Sequence, residues 1–184
     1  VTNNWVFDKI VLIKDGDGND VLLAGANSGM VRFTNDGAMW AYPIQGQIVK
    51  DIDVRGDTNG QVIFASTQEG YGHSAKFYKS IDYGETFTEI TNGLPVNDVG
   101  NYAVAIKDNA DNATDGQRVY VIAANAATST APYGFKAVYR SDDGGDSFTA
   151  IYTGPKNLLG YEQDGSDTGT SQAWYDFEAT VSGT

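Results

Sequence analysis

The segment Ser80-Ile81-Asp82-Tyr83-Gly84-Glu85-Thr86-Phe87 decides how this chain is interpreted, because it recurs as Ser141-Asp142-Asp143-Gly144-Gly145-Asp146-Ser147-Phe148. Both segments share the pattern Ser-x-Asp-x-Gly-x-Ser/Thr-Phe. A third copy, from Thr34 to Trp40, has one residue fewer between its aspartate and its aromatic residue. Hydroxyl and carboxylate oxygens can accept the N–H groups of a turn, glycine tolerates positive φ, and an aromatic ring buries apolar area. The repeat therefore predicts hairpin corners and not a reactive centre.

The sequence around these corners predicts an all-β protein. Short β-branched and aromatic runs, such as Val62-Ile63-Phe64-Ala65 and Val119-Tyr120-Val121-Ile122, alternate with turn residues, and no stretch shows a sustained helical period. With the corners as anchors, the chain divides into three blades of four strands. The predicted ranges are 1–45, 46–96 and 97–153, followed by 154–184, which would hold a long crossing loop and the first strand of a fourth blade at 174–181.

The corner motif resembles the Asp box of the sialidase-like, BNR-repeat β-propellers. In that family the box lies between the third and fourth strands of each blade, so the resemblance implies a β-propeller of four-stranded antiparallel blades. Propellers typically close with 4–8 blades, so the sequence predicts an incomplete ring, a fragment whose first partners are the remaining blades of the same protein. The box residues to which the resemblance gives a structural role are Thr34, Asp36, Gly37, Trp40, Ser80, Asp82, Gly84, Thr86, Phe87, Ser141, Asp143, Gly145, Ser147 and Phe148.

Composition excludes several classes of function. Twelve basic against 24 acidic residues give a net charge of −12, which disfavours nucleic acid and anionic lipid as partners. The chain has no cysteine, which excludes disulfides, thiol nucleophiles and Cys-ligated metals, and its single histidine excludes a multi-histidine metal site. No apolar run approaches the roughly 18 residues of a membrane span, so no membrane insertion is predicted.

The resemblance also implies that a ligand would lie on the face opposite the Asp boxes. Hairpin alternation places there the loops between second and third strands, together with the connections between blades. The candidate ligand contacts on this face are Tyr71, His73, Tyr133, Phe135, Tyr161 and Glu162.

One turn has the oxygen spacing of a calcium loop. Asp15, Asp17 and Asn19 alternate as such loops require, but the sixth and twelfth positions of an EF-hand loop, glycine and glutamate, are here Asp20 and Ala26. A solvated hairpin turn is the favoured interpretation. No cofactor is predicted, and calcium is left open as an alternative.

The same resemblance raises catalysis as an alternative. Sialidases clamp a carboxylate with three arginines, whereas the four arginines here, Arg32, Arg55, Arg118 and Arg140, show no convergent trio. Xyloglucanase-like hydrolases also carry Asp boxes and use paired aspartates in a cleft between two propellers. Asp51 and Asp53 lie two residues apart on one strand and so share a face, which makes them the catalytic candidates. A solvated strand end is the favoured interpretation, and no catalytic residue is predicted.

The function predicted from sequence is a non-catalytic Asp-box propeller segment of a larger secreted or cell-surface protein, serving as a scaffold for protein or glycan binding. Two alternatives stay open at this point. One is part of a glycoside hydrolase propeller of the sialidase or xyloglucanase type. The other is a sorting-receptor propeller of the sortilin type.

Overall fold

The structure, a computed structural model, describes residues 4–34, 37–106, 118–166, 171–174 and 177–181. Within these ranges the regular elements are strands, apart from one turn of 3-10 helix at Gly56–Thr58. The strands are β1 (Phe7–Lys14), β2 (Asp20–Ala26), β3 (Gly29–Thr34), β4 (Met39–Gln45), β5 (Ile48–Val54), β6 (Ile63–Gln68), β7 (Phe77–Ser80), β8 (Thr88–Glu89), β9 (Val99–Ile106), β10 (Val119–Asn125), β11 (Phe135–Ser141) and β12 (Thr149–Tyr152).

The strands of the described chain form three antiparallel groups of four, in which consecutive strands pair. We name them unit 1 (β1–β4), unit 2 (β5–β8) and unit 3 (β9–β12). A single residue pair, Gln68 of β6 with Asn101 of β9, joins units 2 and 3 into one continuous sheet. The all-β, antiparallel prediction is confirmed, whereas the division into propeller blades at 1–45, 46–96 and 97–153 stays a prediction.

Two apolar cores lie between consecutive units. Because side chains alternate along a strand, each sheet has one face for the unit before it and one for the unit after it. Ile63 and Phe64, neighbours on β6, show this division: Ile63 belongs to the core with unit 1 and Phe64 to the core with unit 3. The first core also contains Val21, Leu23, Met30, Ile44, Val49 and Ile52, and the second contains Phe77, Tyr102, Val104, Val119, Val121, Tyr139 and Phe148.

The face of unit 1 that points away from unit 2 is apolar and open. Leu12, Leu22, Phe33 and Trp40 are cross-strand neighbours in one row over this face, and Leu12 and Trp40 are 66% and 60% exposed. A second row is aromatic, since the ring of Tyr42 lies 5.0 Å from that of Trp40 and 5.5 Å from that of Trp5. An apolar surface of this kind normally marks an interaction site.

Within the predicted fourth-blade strand at 174–181, Trp174 and residues 177–181 are not assigned to a strand, and a fourth blade stays a prediction. Side-chain hydrogen bonds, and not a ladder of backbone hydrogen bonds, hold the start of this stretch. Asn101 donates from Nδ2 to the carbonyl of Ala173 at 2.8 Å, and Gln68 donates from Nε2 to that of Trp174 at 2.5 Å. Ala173 and Trp174 thus lie at the junction between β6 and β9, where side chains bind their carbonyl groups.

Candidate functional site

The corner of unit 2, residues 80–87, is closed by its own side chains. Ser80 Oγ donates to Asp82 Oδ1 at 2.7 Å and accepts the N–H of Gly84 at 2.9 Å. Asp82 in turn accepts the N–H of Thr86 at 3.0 Å and its hydroxyl at 2.6 Å. The side-chain oxygens thereby replace backbone acceptors that the tight turn cannot provide.

The corner of unit 3, residues 141–148, repeats this network. Ser141 Oγ donates to Asp143 Oδ1 at 2.6 Å and accepts the N–H of Gly145 at 2.8 Å, and Asp143 accepts both the N–H and the hydroxyl of Ser147. Burial opposes the ionisation of Asp143, but the hydrogen bonds from Ser141 and Ser147 outweigh it and lower its pKa to about 2. The pKa of Asp82 is lowered for the same reason: burial opposes ionisation, and hydrogen bonds from Thr86 and Ser80 outweigh it.

The corner of unit 1 must be aligned one residue earlier than the sequence suggested. Arg32 pairs with Ala41 on the next strand, as Lys79 pairs with Thr88 and Arg140 with Thr149. This register puts Phe33, not Thr34, at the position of Ser80. The sequence prediction that Thr34 supplies the hydroxyl of this corner therefore needs correction. Gly37 and Trp40 then match Gly84 and Phe87 without a deletion. Asp36, assigned as the box aspartate, lies outside the described residues.

The corners of units 2 and 3 each pack on the unit before. Their aromatic residues, Phe87 and Phe148, pack into the cores between units, and the rings of Phe148 and Phe77 lie 5.6 Å apart in an edge-to-face arrangement. A Cβ atom at Gly145 would come within 2.4 Å of the Phe64 ring, and one at Gly84 within 2.9 Å of Leu23. The glycines therefore serve both the turn, with φ of +87° and +77°, and the close approach of two units.

Asp51 and Asp53 lie together, as their spacing predicted, in a pocket of about 250 Å³ between the first strands of the units. Lys9 of β1 and Glu178 line the same pocket. Lys9 Nζ lies 3.3 Å from Asp51 Oδ1, and Asp53 Oδ1 accepts the N–H of Val54 at 3.0 Å. The pocket combines three carboxylates with one ammonium group, a set that can hold a polar ligand or a water molecule.

The loop between β6 and β7 carries two of the predicted ligand contacts. Tyr71, at φ +53°, is 65% exposed, and its hydroxyl donates to the carbonyl of Asn27 in unit 1 at 2.9 Å. His73 is exposed two residues further on, where Gly70 and His73 close the turn by reciprocal backbone hydrogen bonds. These two residues are presented to solvent by a loop that is anchored on a neighbouring unit.

The remaining predicted contacts are not presented as a group. Burial and a hydrogen bond to Glu69 raise the pKa of Tyr133 to about 12, and its ring packs against Gly100. The prediction for Phe135 needs correction, because this side chain is buried with its ring 5.5 Å from that of Tyr152. Tyr161 and Glu162 are exposed and line a separate pocket of about 320 Å³ within the loop 156–165.

The turn proposed for calcium is organised by hydrogen bonds. Asp15 Oδ1 accepts the N–H groups of Asp17 and Asn19, and Asp15 Oδ2 accepts the Asn19 side-chain amide at 3.1 Å. These bonds, mainly those from Asn19, lower the pKa of Asp15. Among the residues that the structure describes, no cluster of three or more histidine, aspartate or glutamate residues could hold a metal ion.

The four arginines are each engaged with carboxylates of this chain. Arg118 and Arg140 converge on Asp142, which accepts from their Nε atoms at 2.8 and 2.9 Å. Arg55 binds Asp57 through two hydrogen bonds of 2.7 Å. Arg32 approaches Glu85 at 3.7 Å. Only two of the four share a target, so the described chain does not assemble the arginine trio of a sialidase.

Comparisons with known proteins concern the fold alone. A scan against protein-family models finds no match, and a search of the curated proteins finds none. Among solved structures, an ancestral GH74 enzyme matches 83% of this chain at 17% identity with a TM-score of 0.58, and the match covers 19% of that enzyme. A GH74 enzyme from Niastella koreensis matches 76% of the chain (22% identity, TM-score 0.49, 20% of that enzyme), and a GH74 xyloglucanase from Xanthomonas campestris matches 79% (16% identity, TM-score 0.49, 23% of that enzyme).

The fold thus places the chain among all-β proteins of antiparallel sheets, and its likeness to the ancestral GH74 enzyme is a likeness of fold. The chain spans about a fifth of the length of the solved structures that it matches. Within the described residues, no helix is long and apolar enough to cross a membrane.

Sequence reasoning missed the partners that come from distant parts of the chain. Lys9 and Glu178 join the aspartate pocket from 42 residues before Asp51 and 125 residues after Asp53 (51 − 9 and 178 − 53). Glu69, which accepts from Tyr133 and from the N–H of Ala127, was also missed. The sequence did hold a signal for ion pairs at the corners. Lys79 and Arg140 directly precede the repeat, and Glu85 and Asp146 occupy its sixth position.

Proposed function

We propose that this chain is a non-catalytic segment of an Asp-box β-propeller within a larger secreted or cell-surface protein, where it supports loops that bind a glycan or a protein. One observation carries the proposal: the carboxylates of the repeat, Asp82 and Asp143, are occupied by hydrogen bonds within their own corners. A general acid needs a carboxyl group with a raised pKa, whereas the pKa of both is lowered. These two carboxylates therefore stabilise their turns and do not act as general acids.

Further blades of the same protein are the proposed partners of the two outer sheet faces. The open face of unit 1, with Leu12 and Trp40 exposed, is apolar like the faces that meet in the two cores. The likeness to a GH74 enzyme supports this arrangement, because the chain covers 19% of that much longer protein. Stacking a further sheet on each face would remove this apolar area from water.

The proposed ligand is a neutral glycan or a protein loop, bound by the exposed side chains of the β6–β7 loop. Tyr71 offers an open aromatic ring, on which a sugar can stack, and its hydroxyl bond to Asn27 holds the ring in place. A net charge of −12 disfavours sulfated or sialylated glycans. A neutral sugar chain avoids this repulsion.

The experiment is a glycan-array screen of the chain, followed by calorimetric titration of the best glycan. Binding without turnover is expected, with the affinity several-fold lower for Tyr71→Ala. Tyr42→Ala is the matched control, because Tyr42 is an exposed tyrosine of unit 1 outside this loop. An equal loss of affinity in both variants, or no loss of affinity in either, would exclude Tyr71 from glycan binding. Sialylated glycans binding more tightly than neutral ones would contradict the charge argument.

The second candidate function is glycoside hydrolysis. One observation favours it: Asp51, Asp53 and Glu178 line a single pocket, and glycosidases use a pair of carboxyl groups. The salt bridge from Lys9 counts against it, because Lys9 Nζ lies 3.3 Å from Asp51 Oδ1 and occupies that carboxylate. Incubating the chain with aryl glycosides and β-glucan oligosaccharides tests it directly. Turnover that Asp53→Asn abolishes, and that the exposed-turn variant Asp17→Asn leaves intact, would overturn the scaffold proposal.

A further inference from the structure

The junction between units 1 and 2 is made by two side chains that reach the same corner. Leu23 of β2 lies beneath the corner glycine, since a Cβ at Gly84 would come within 2.9 Å of it. Arg32 of β3 donates from Nε to the carbonyl of Tyr83 at 3.2 Å, and one of its terminal nitrogens lies 3.7 Å from Glu85. An apolar side chain and a cation therefore hold one corner together.

The junction between units 2 and 3 repeats both contacts. Phe64 of β6 lies beneath Gly145, where a Cβ atom would come within 2.4 Å of its ring. Lys79 of β7 places its Nζ 2.6 Å from Asp146 Oδ1. Asp146 and Glu85 both occupy the sixth place of their corner, directly after the glycine. Both junctions therefore have the same two contacts. The corner glycine packs on an apolar residue, and the acidic residue after it pairs with a basic residue.

Unit 3 presents the same pair of side chains on its far face. Leu23 pairs with Arg32 across β2 and β3, Phe64 pairs with Lys79 across β6 and β7, and Tyr120 pairs with Arg140 across β10 and β11. The side chains of Arg32 and Lys79 are 11% and 12% exposed under the corners they hold, whereas that of Arg140 is 40% exposed. No sequence after Phe148 repeats the corner motif.

The side chain of Arg140 has an exposed side on which a further carboxylate can bind. One of its terminal nitrogens lies 2.8 Å from Asp142 Oδ2, and the side chain is still 40% exposed. Lys79 is 12% exposed under the corner whose Asp146 it binds. A second carboxylate at the exposed side would bind Arg140 in the way that Asp146 binds Lys79.

We propose that Tyr120 and Arg140 form the docking site for the corner of a further blade of the same protein, whose glycine rests on Tyr120 and whose sixth residue, aspartate or glutamate, pairs with Arg140. This inference rests on the proposed function, since it assumes a longer propeller. A second copy of this chain fits less well, because the open corner of unit 1 has Ala38 at the sixth place and supplies no carboxylate there.

The test uses a tandem protein, in which a second copy of residues 97–153 follows the full chain. This is the unit whose corner docks through an aspartate in the structure. In the appended copy Arg118 and Arg140 are replaced by lysine, so that phenylglyoxal labelling, read by peptide mass spectrometry, reports on the first copy alone. Labelling of Arg140 is expected to be several-fold slower in the tandem protein than in the 184-residue chain. Asp146→Asn in the appended copy should restore fast labelling, and Asp146→Glu should keep it slow.

Two results would overturn the docking site. One is equal labelling of Arg140 in the tandem protein and its Asp146→Asn form, with Arg55 labelling unchanged as the control for folding. The other is concentration-dependent dimerisation of the 184-residue chain that Arg140→Glu abolishes, which would assign the face to a second copy. Neither measurement involves a glycan, so the docking site can fail while the glycan-binding proposal survives, and the reverse also holds.

Discussion

Single glycines set how closely two neighbouring units can approach in this molecule. Gly145 and Gly37 stand at equivalent corner positions, with φ of +87° and +84°, but their surroundings differ. A Cβ at Gly145 would collide with the Phe64 ring at 2.4 Å, whereas one at Gly37 would meet nothing within 4 Å. The backbone requirement is therefore shared, and the packing requirement exists only where another unit lies against the corner.

This difference predicts unequal costs for the same substitution. Gly37→Ala should lower the free energy of unfolding by about 1–2 kcal/mol, the cost of the left-handed conformation. Gly145→Ala should add about 1–3 kcal/mol more, because the methyl group overpacks the core between units 2 and 3. Urea unfolding followed by circular dichroism measures both. Equal costs for the two variants would show that the contact with Phe64 contributes nothing.

The aspartate of a corner makes stability depend on pH. The pKa of Asp143 is about 2 in the folded chain and 3.8 in its ordinary state, so the unfolded chain binds the proton more readily. Its contribution to stability is then complete above the ordinary pKa and is lost as the pH falls from about 4 towards 2. Asp82, whose pKa is also lowered, acts in the same direction.

The measurable consequence is a melting temperature that declines steeply below about pH 4. Asp143→Asn should lower the melting temperature at pH 7 and flatten this decline, since the asparagine cannot take up the proton. Asp17→Asn, a change in the exposed first turn, serves as the control and should keep the steep decline. A profile for Asp143→Asn that runs parallel to the wild-type profile would exclude Asp143 as its source.

Pairs of strands and their corners are the next scale, and here ion pairs at the same distance should differ in value. Lys79 and Asp146 join units 2 and 3 at 2.6 Å, with side-chain exposures of 12% and 70%. Lys14 and Asp20 lie at the same 2.6 Å within one hairpin, but their side chains are 63% and 55% exposed. Because the ammonium group of the first pair is largely shielded from solvent, water screens the second pair more than the first.

Double-mutant cycles should therefore separate the two pairs. With Lys79→Met and Asp146→Asn, the coupling energy is expected at about 1 kcal/mol, the upper end for surface pairs. With Lys14→Met and Asp20→Asn, about 0.2 kcal/mol is expected. Chemical denaturation of the four variants and the two doubles gives both values. A larger coupling in the exposed pair would contradict the view that Lys79 is a junction residue.

The elements themselves were largely predictable, and the reasons are visible in particular residues. Strands such as β6 and β10 combine β-branched residues with a fixed distance to a corner, so both their type and their place followed from local pattern. The corner of unit 1 was predicted one residue too late. Thr34 has the hydroxyl that the repeat requires at its first position, and only the pairing of Arg32 with Ala41 reveals the register. A residue's place across a sheet is a non-local property.

The site was less predictable because its partners come from far along the chain. The spacing of Asp51 and Asp53 predicted one shared face, but nothing near them indicates Lys9 or Glu178. The residues at 174–181 have the composition of a strand, yet Gln68 binds the carbonyl of Trp174, and Asn101 binds that of Ala173 just before it, through side chains. Side-chain hydrogen bonds of this kind leave no periodic trace in a sequence.

At the scale of the whole molecule, the two faces of unit 1 distinguish an interface that is formed from one that is open. Leu23 is fully buried in the core between units 1 and 2, whereas Leu12, on β1 of the same sheet, is 66% exposed on the opposite face. Leu23→Ala should cost about 2–5 kcal/mol because it leaves a cavity between two sheets. Leu12→Ala should change the free energy of unfolding by less than about 0.5 kcal/mol, since no described residue of another unit covers it.

The same pair of variants tests whether a further blade covers the open face. In the 184-residue chain the Leu12 face should bind a hydrophobic dye, and Leu12→Ser should reduce that binding while Leu23→Ala does not. When a blade is present on this face, the cost of Leu12→Ala should rise towards that of Leu23→Ala, because the same methyl groups would then leave a packed core. A Leu12→Ala cost of about 2 kcal/mol or more already in the 184-residue chain, on the order of a buried leucine, would mean that the face is covered without any further blade, and the incomplete ring proposed for this chain would have to be abandoned.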